Sequence, residues 1–132
     1  MLDLTAWKLC RFSGHSRNIY EKAHQVASDL VDANPQDGPL LNTLAVACYR
    51  LERYDDALKI LTKSLERQGD NVTDFLFLAM THKQLGHPND AKTFLDRGRS
   101  QFTKTKSTLP IISQREIERF VQEAEKTLAK DR

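Results

Sequence analysis

Two cysteines in 132 residues, Cys10 and Cys48, with no CxxC spacing, supply neither a disulfide framework nor a paired-thiol motif. With 39% hydrophobic residues the chain can build its own core without a covalent staple or a bound metal, so a reducing, cytoplasmic setting is expected. No stretch approaches the roughly 20 apolar residues of a membrane span. The opening segment carries Asp3, Lys8 and Arg11 where a secretory signal would have its apolar run. Neither sign of charge dominates: 20 Lys plus Arg stand against 18 Asp plus Glu, a net +2, and nothing in that balance demands nucleic acid. There is no Gly-rich phosphate loop, no GxSxG and no HExxH, and the carboxylates are scattered along exposed faces. The expectation is a binding protein with no enzymatic role and no cofactor.

What the chain does have is an internal repeat. Leu41, Leu44, Ala45, Cys48, Leu51, Tyr54, Ala57, Leu61 and Ser64 return 34 residues later as Phe75, Leu78, Ala79, His82, Leu85, Pro88, Ala91, Leu95 and Gly98. The same displacement backwards sets Trp7 before Leu41, Cys10 before Leu44, Tyr20 before Tyr54 and Ala23 before Ala57. Small residues at fixed positions (Ala45, Ala57, Ser64, Ala79, Ala91, Gly98) are what two antiparallel helices need where their backbones approach. Their large partners recur at the three- and four-residue spacing of one helix face.

This pattern resembles the tetratricopeptide repeat (TPR). The resemblance covers about residues 4–105 and implies an all-α, right-handed superhelical stack of three helix-turn-helix repeats. Their spans are about 4–37, 38–71 and 72–105, within a single domain of residues 1–132. Helices are expected near 3–12, 17–33, 39–51, 54–67, 72–85 and 88–102. Pro39 and Pro88 suit first helical positions, and Asp70 and Asn71 are capping candidates for the fifth helix. In the first repeat Arg11 replaces a small residue, and residues 13–16 (Ser, Gly, His, Ser) predict an early helix end with a longer turn. After a polar connector at 103–110, Ser113 and Glu116 have capping-box spacing. A final helix at about 113–130 then carries the stripe Ile117, Phe120, Val121, Ala124 and Leu128, suited to covering an open end. In Leu4 to Trp7, Ala23, Asn42 to Arg50 and Phe77 to His87 the chain is also similar to the C-terminal repeats of large bacterial proteins. In those proteins a serine/threonine kinase or a β-propeller commonly precedes the repeats, and the resemblance implies a tether to such a domain.

Chemistry-bearing side chains read as structural. No two of His15, His24, His82 and His87 have the i, i+4 spacing of a helical metal pair, so no metal site is expected. His82 falls where an aromatic faces the neighbouring helix, and His87 falls in a turn. Cys10 and Cys48 occupy helix-packing positions and read as core thiols. Arg97, Arg99, Lys104 and Lys106 form a basic cluster whose position near a helix C-terminus, beside Asp96, accounts for it. Neither nucleic acid nor membrane is an expected partner.

The resemblance implies a concave groove lined by the first helix of each repeat. Its inward-facing positions here are Lys8, Phe12, Asn42, Val46, Tyr49, Arg50, Leu76, Met80 and Lys83, which would receive a protein segment or peptide. One subclass grips a chaperone's terminal carboxylate with Lys, Asn and Arg side chains. The matching positions are Lys8, Phe12, Thr43, Thr73 and Phe77, of which only Lys8 fits, so that recognition is not expected. The alternative is a structural module that docks on an upstream domain, or forms a homodimer, through the first-repeat end around Trp7 and Ala23.

Overall fold

The computed structural model describes residues 4–130, and every regular element among them is helical. In order these are α1 (Leu4–Cys10), α2 (Arg17–Ala33), α3 (Gly38–Arg50), α4 (Tyr54–Gln68), α5 (Val72–Gln84), α6 (Pro88–Thr105) and α7 (Ile111–Ala129), with a 3-10 turn at Lys106–Thr108. The all-α class is as expected, and six helices arranged as three helix pairs precede α7. The described residues fall into two compact units that meet at Gly69 and Asp70. The first holds α1–α4 and the second α5–α7.

In the first unit α3 packs with α1, α2 and α4. Every side chain from Leu40 to Tyr49 is consequently buried. The small residues of the repeat do what their size suggests: Ala45 and Ala57 are wholly buried, and Ser64, also buried, donates its hydroxyl to the Gly38 carbonyl. Helix α1 ends early, as the Ser13 to Ser16 stretch predicts. Arg50 of α3 caps it by donating to the carbonyls of Cys10 (3.0 Å) and Arg11 (2.6 Å), groups that a helix C-terminus leaves without intrahelical donors. The Tyr20 hydroxyl ties the following turn, donating to the Phe12 carbonyl and accepting from the His15 N–H.

In the second unit α5 packs against both α6 and α7. Gly98 permits the close approach of α5 and α6, since a Cβ there would stand 2.8 Å from Leu76 Cδ2 and 3.3 Å from Phe75 Cβ. On another side of α5, Phe77 meets Phe120 of α7 edge to face at 5.4 Å, and both are wholly buried. Phe120 and Ala124 form the middle of the α7 stripe, with Ile117, Val121 and Leu128 half-buried.

Helix caps follow from local chemistry. The side chains of Ser16, Asp37 and Asn71 accept from Ile19, Leu40 and Asp74 N–H respectively, at the starts of α2, α3 and α5. The box expected at Ser113 and Glu116 does not cap α7. That helix starts two residues earlier, at Ile111, directly behind Pro110, and has no side-chain cap. Pro110 already holds φ near the helical value and is extended in ψ, so the chain enters the helix there; Gln114 turns back to donate to the Leu109 carbonyl. The expected connector is also shorter, because α6 continues to Thr105, with Thr103 and Thr105 hydroxyls bonded to carbonyls one turn back.

Helices α3 and α5 end in the same way. The Arg53 N–H donates to the Cys48 carbonyl and the Glu52 N–H to Tyr49; 34 residues on, the His87 N–H donates to His82 and the Gly86 N–H to Lys83. This is a Schellman motif, which requires a left-handed residue just past the helix. Glu52 (φ 63°) and Gly86 (φ 83°) fill it. The repeat thus extends to the geometry of its turns.

Candidate interaction surface

Burial sorts the nine residues expected to line a groove. Val46, Leu76 and Met80 are 0% exposed, and Asn42 and Tyr49 are also buried. These five are core residues with too little surface for a ligand to grip. The helical frame placed them on an inward face; what overrides this is the packing of α3 and α5 on several sides. Leu76 in particular faces α6, under Gly98, and Tyr49 packs its ring 5.4 Å from that of Tyr54. Arg50 is half-buried and committed to the end of α1. Phe12 is half-buried beneath the Arg11 guanidinium, 4.7 Å from its ring centre. Lys8 is exposed, and Lys83 is half-buried at the edge of a cleft.

That cleft lies wholly within the second unit. It consists of two adjoining hollows of about 390 and 400 Å³ that share Lys83 and Pro88. Ala91 and Leu95 of α6, with Leu128 and Ala129 of α7, give it an apolar lining, while Lys83, Lys92 and Lys130 bring three ammonium groups to its edges. None of the three forms an ion pair among the described residues. Arg99, also at the edge, is held by Asp96 (3.1 Å) and Glu125 (2.8 Å). The repeat marks Leu95 as a packing residue only, and nothing in the sequence pattern singles out Lys92 or Lys130. They gather only because α7 lies beside α6, and the 34-residue repeat carries no information about a helix outside it.

The remaining reactive groups are placed by packing. Burial pushes the Cys10 thiol up to about 12 and the Cys48 thiol up to about 11, so neither supplies a thiolate near neutral pH. The basic cluster is largely offset: Arg97 lies over the Phe75 ring at 4.6 Å with Asp70 at 3.9 Å, and Lys106 pairs with Glu118 at 3.0 Å. His82 stacks flat on Phe94 of α6, its ring 5.4 Å away and tilted by 3°, in the packed role expected of it. Burial, above all, holds its imidazole below the ordinary value. His87 stands in the α5–α6 turn with its Nδ1 3.0 Å from that of His82.

The family model of the coatomer epsilon subunit matches residues 5–125. The chain is also 25% identical over 83 residues to Superkiller complex protein 3 of Mus musculus, an alignment that takes in 63% of this chain. It spans only 5% of that relative's length.

Proposed function

The chain belongs to the coatomer epsilon subunit family, and we propose that it grips an extended acidic protein segment in the cleft between α6 and α7. The coarser statement, a TPR-like helical-repeat module for protein interaction, rests on the family and on the repeat. Both matched proteins carry names of assembly components, a coatomer subunit and a protein of a complex. The observation that carries the finer reading is the cleft itself, an apolar lining edged by Lys83, Lys92 and Lys130. An extended segment would place apolar side chains against half-buried Leu128 and exposed Ala129, and carboxylates against the ammonium groups. Helical modules that bind peptides divide affinity and register in this way.

The test is a fluorescence titration of the chain with labelled peptides that alternate leucine with glutamate. Binding should weaken as salt rises and fall at least tenfold in Lys83→Glu, while Lys8→Glu, in the first unit, leaves it unchanged. Equal affinity in Lys83→Glu would sink the cleft as the site.

A second reading is supported by Trp7. Its repeat equivalents Leu41 and Phe75 are each 2% exposed, but Trp7 is only half-buried. An indole left partly open suits docking of the first-repeat end on a second copy or on another domain of a longer chain, such as the kinase or propeller of the bacterial proteins it resembles. Light scattering over a wide concentration range separates the readings: a dimer abolished by Trp7→Ala supports docking, and a monomer at every concentration rejects the homodimer.

A further inference from the structure

We propose that His82, His87 and Asp90, at the α5–α6 turn, form a binding site for one divalent transition-metal ion of the zinc class. The three residues bring their ligand atoms within 4.8 Å of one another. The two histidines are five residues apart and so lack the i, i+4 spacing of a helical metal pair. On a continuous helix five residues would put them on different faces. Here, however, a helix end lies between them. The Schellman motif bonds the His87 N–H to the His82 carbonyl at 2.8 Å, and Gly86, at φ 83°, supplies the left-handed step that folds the chain back. The side chains at the two ends of that backbone bond therefore converge, with Nδ1 facing Nδ1 at 3.0 Å.

That separation suits an ion. Two bonds of about 2.0–2.1 Å, opened by between a right angle and the tetrahedral angle, place two nitrogens about 2.8–3.4 Å apart. His82 is held in position by its parallel stacking on Phe94, so one ligand is fixed before any metal arrives. Asp90, in the first turn of α6, is exposed, and its side chain can rotate to close the remaining distance. Two imidazoles and one carboxylate leave a coordination position for water or for a donor from a partner, which is the composition of open transition-metal sites. The competing arrangement is a simple hydrogen bond between two neutral imidazoles, one Nδ1 donating and the other accepting. It has no use for Asp90, and this distinguishes the two experimentally. None of the three residues lines the peptide cleft proposed above, although Gly86 and Pro88, on either side of His87, do.

The probe is zinc chloride, titrated into the full chain by calorimetry in a buffer that does not chelate metal, with the imidazole nitrogens followed by NMR. Expected are one ion per chain, shifts confined to His82 and His87, at least a tenfold weakening in His87→Ala, and a measurable weakening in Asp90→Asn. Both varied side chains are exposed, so circular dichroism should show unchanged folding. The double variant His15→Ala, His24→Ala should bind as the parent does. No saturation up to about 1 mM zinc, undiminished binding in His87→Ala or Asp90→Asn, or binding lost in the double variant would each overturn the assignment.

Discussion

His24 and Arg53 meet side chain to side chain, the guanidinium Nη1 3.4 Å from the imidazole Nε2. Because arginine can only donate, that nitrogen must accept, and protonating it would set two donors face to face. Burial first, and Arg53 second, hold the His24 imidazole below its ordinary value of 6.5. Between that depressed value and 6.5 the unfolded chain binds a proton that the folded chain refuses, so this contribution to stability is fully present above 6.5 and is lost as pH falls through the folded value. His82, lowered for the same leading reason, acts in the same direction. Thermal melts should therefore show a falling midpoint from pH 7 towards pH 5, with a shallower fall in His24→Gln, which keeps an acceptor and cannot titrate. An unchanged slope in that variant would remove His24 from the account. At this scale the sequence was a good guide to size and a poor one to partners. The burial of Cys10 and Cys48 was legible from the repeat. The pairing of His24 with Arg53, 29 residues apart, was not, because local periodicity says nothing about which polar groups meet.

Among the elements, the two Schellman turns offer a matched comparison. Gly86 takes the left-handed conformation without a Cβ, whereas Glu52 takes it with one, at a cost of about 1 kcal/mol or more. Glu52→Gly should raise stability by about 0.5–1 kcal/mol, seen as a higher urea midpoint with unchanged slope. In α6 the opposite exchange should do harm. Gly98→Ala gains about 1 kcal/mol of helix propensity, but its methyl group would stand 2.8 Å from Leu76 Cδ2 inside a closed core. Overpacking costs about 1–3 kcal/mol, so the variant should be the less stable by up to about 2 kcal/mol, and a gain in its urea midpoint would show that Leu76 has room to move. Helix existence and most boundaries followed from the repeat and its caps. The start of α7 did not, because the Ser113 and Glu116 spacing competed with Pro110 three residues earlier, and the proline prevailed.

For the whole molecule, α7 decides which surface of the second unit meets solvent. Phe120 is wholly buried against Phe77, so Phe120→Ala should cost about 3–5 kcal/mol, measured by denaturant unfolding, and should increase self-association in light scattering as the α5 face opens. A loss below about 1 kcal/mol would mean that α7 is a peripheral appendage. The sequence by itself determined the all-α class, the 34-residue pairing of helices and the small residues at their crossings, because each depends on spacing along one chain. Only the tertiary structure decided which of those helix faces remain accessible. Residues such as Val46, Leu76 and Met80 lie on a face that the repeat frame turns inward, yet burial depends on every element packed around a helix. For the same reason the lysine-edged cleft, and the convergence of His82, His87 and Asp90, became visible only once the chain had folded back on itself.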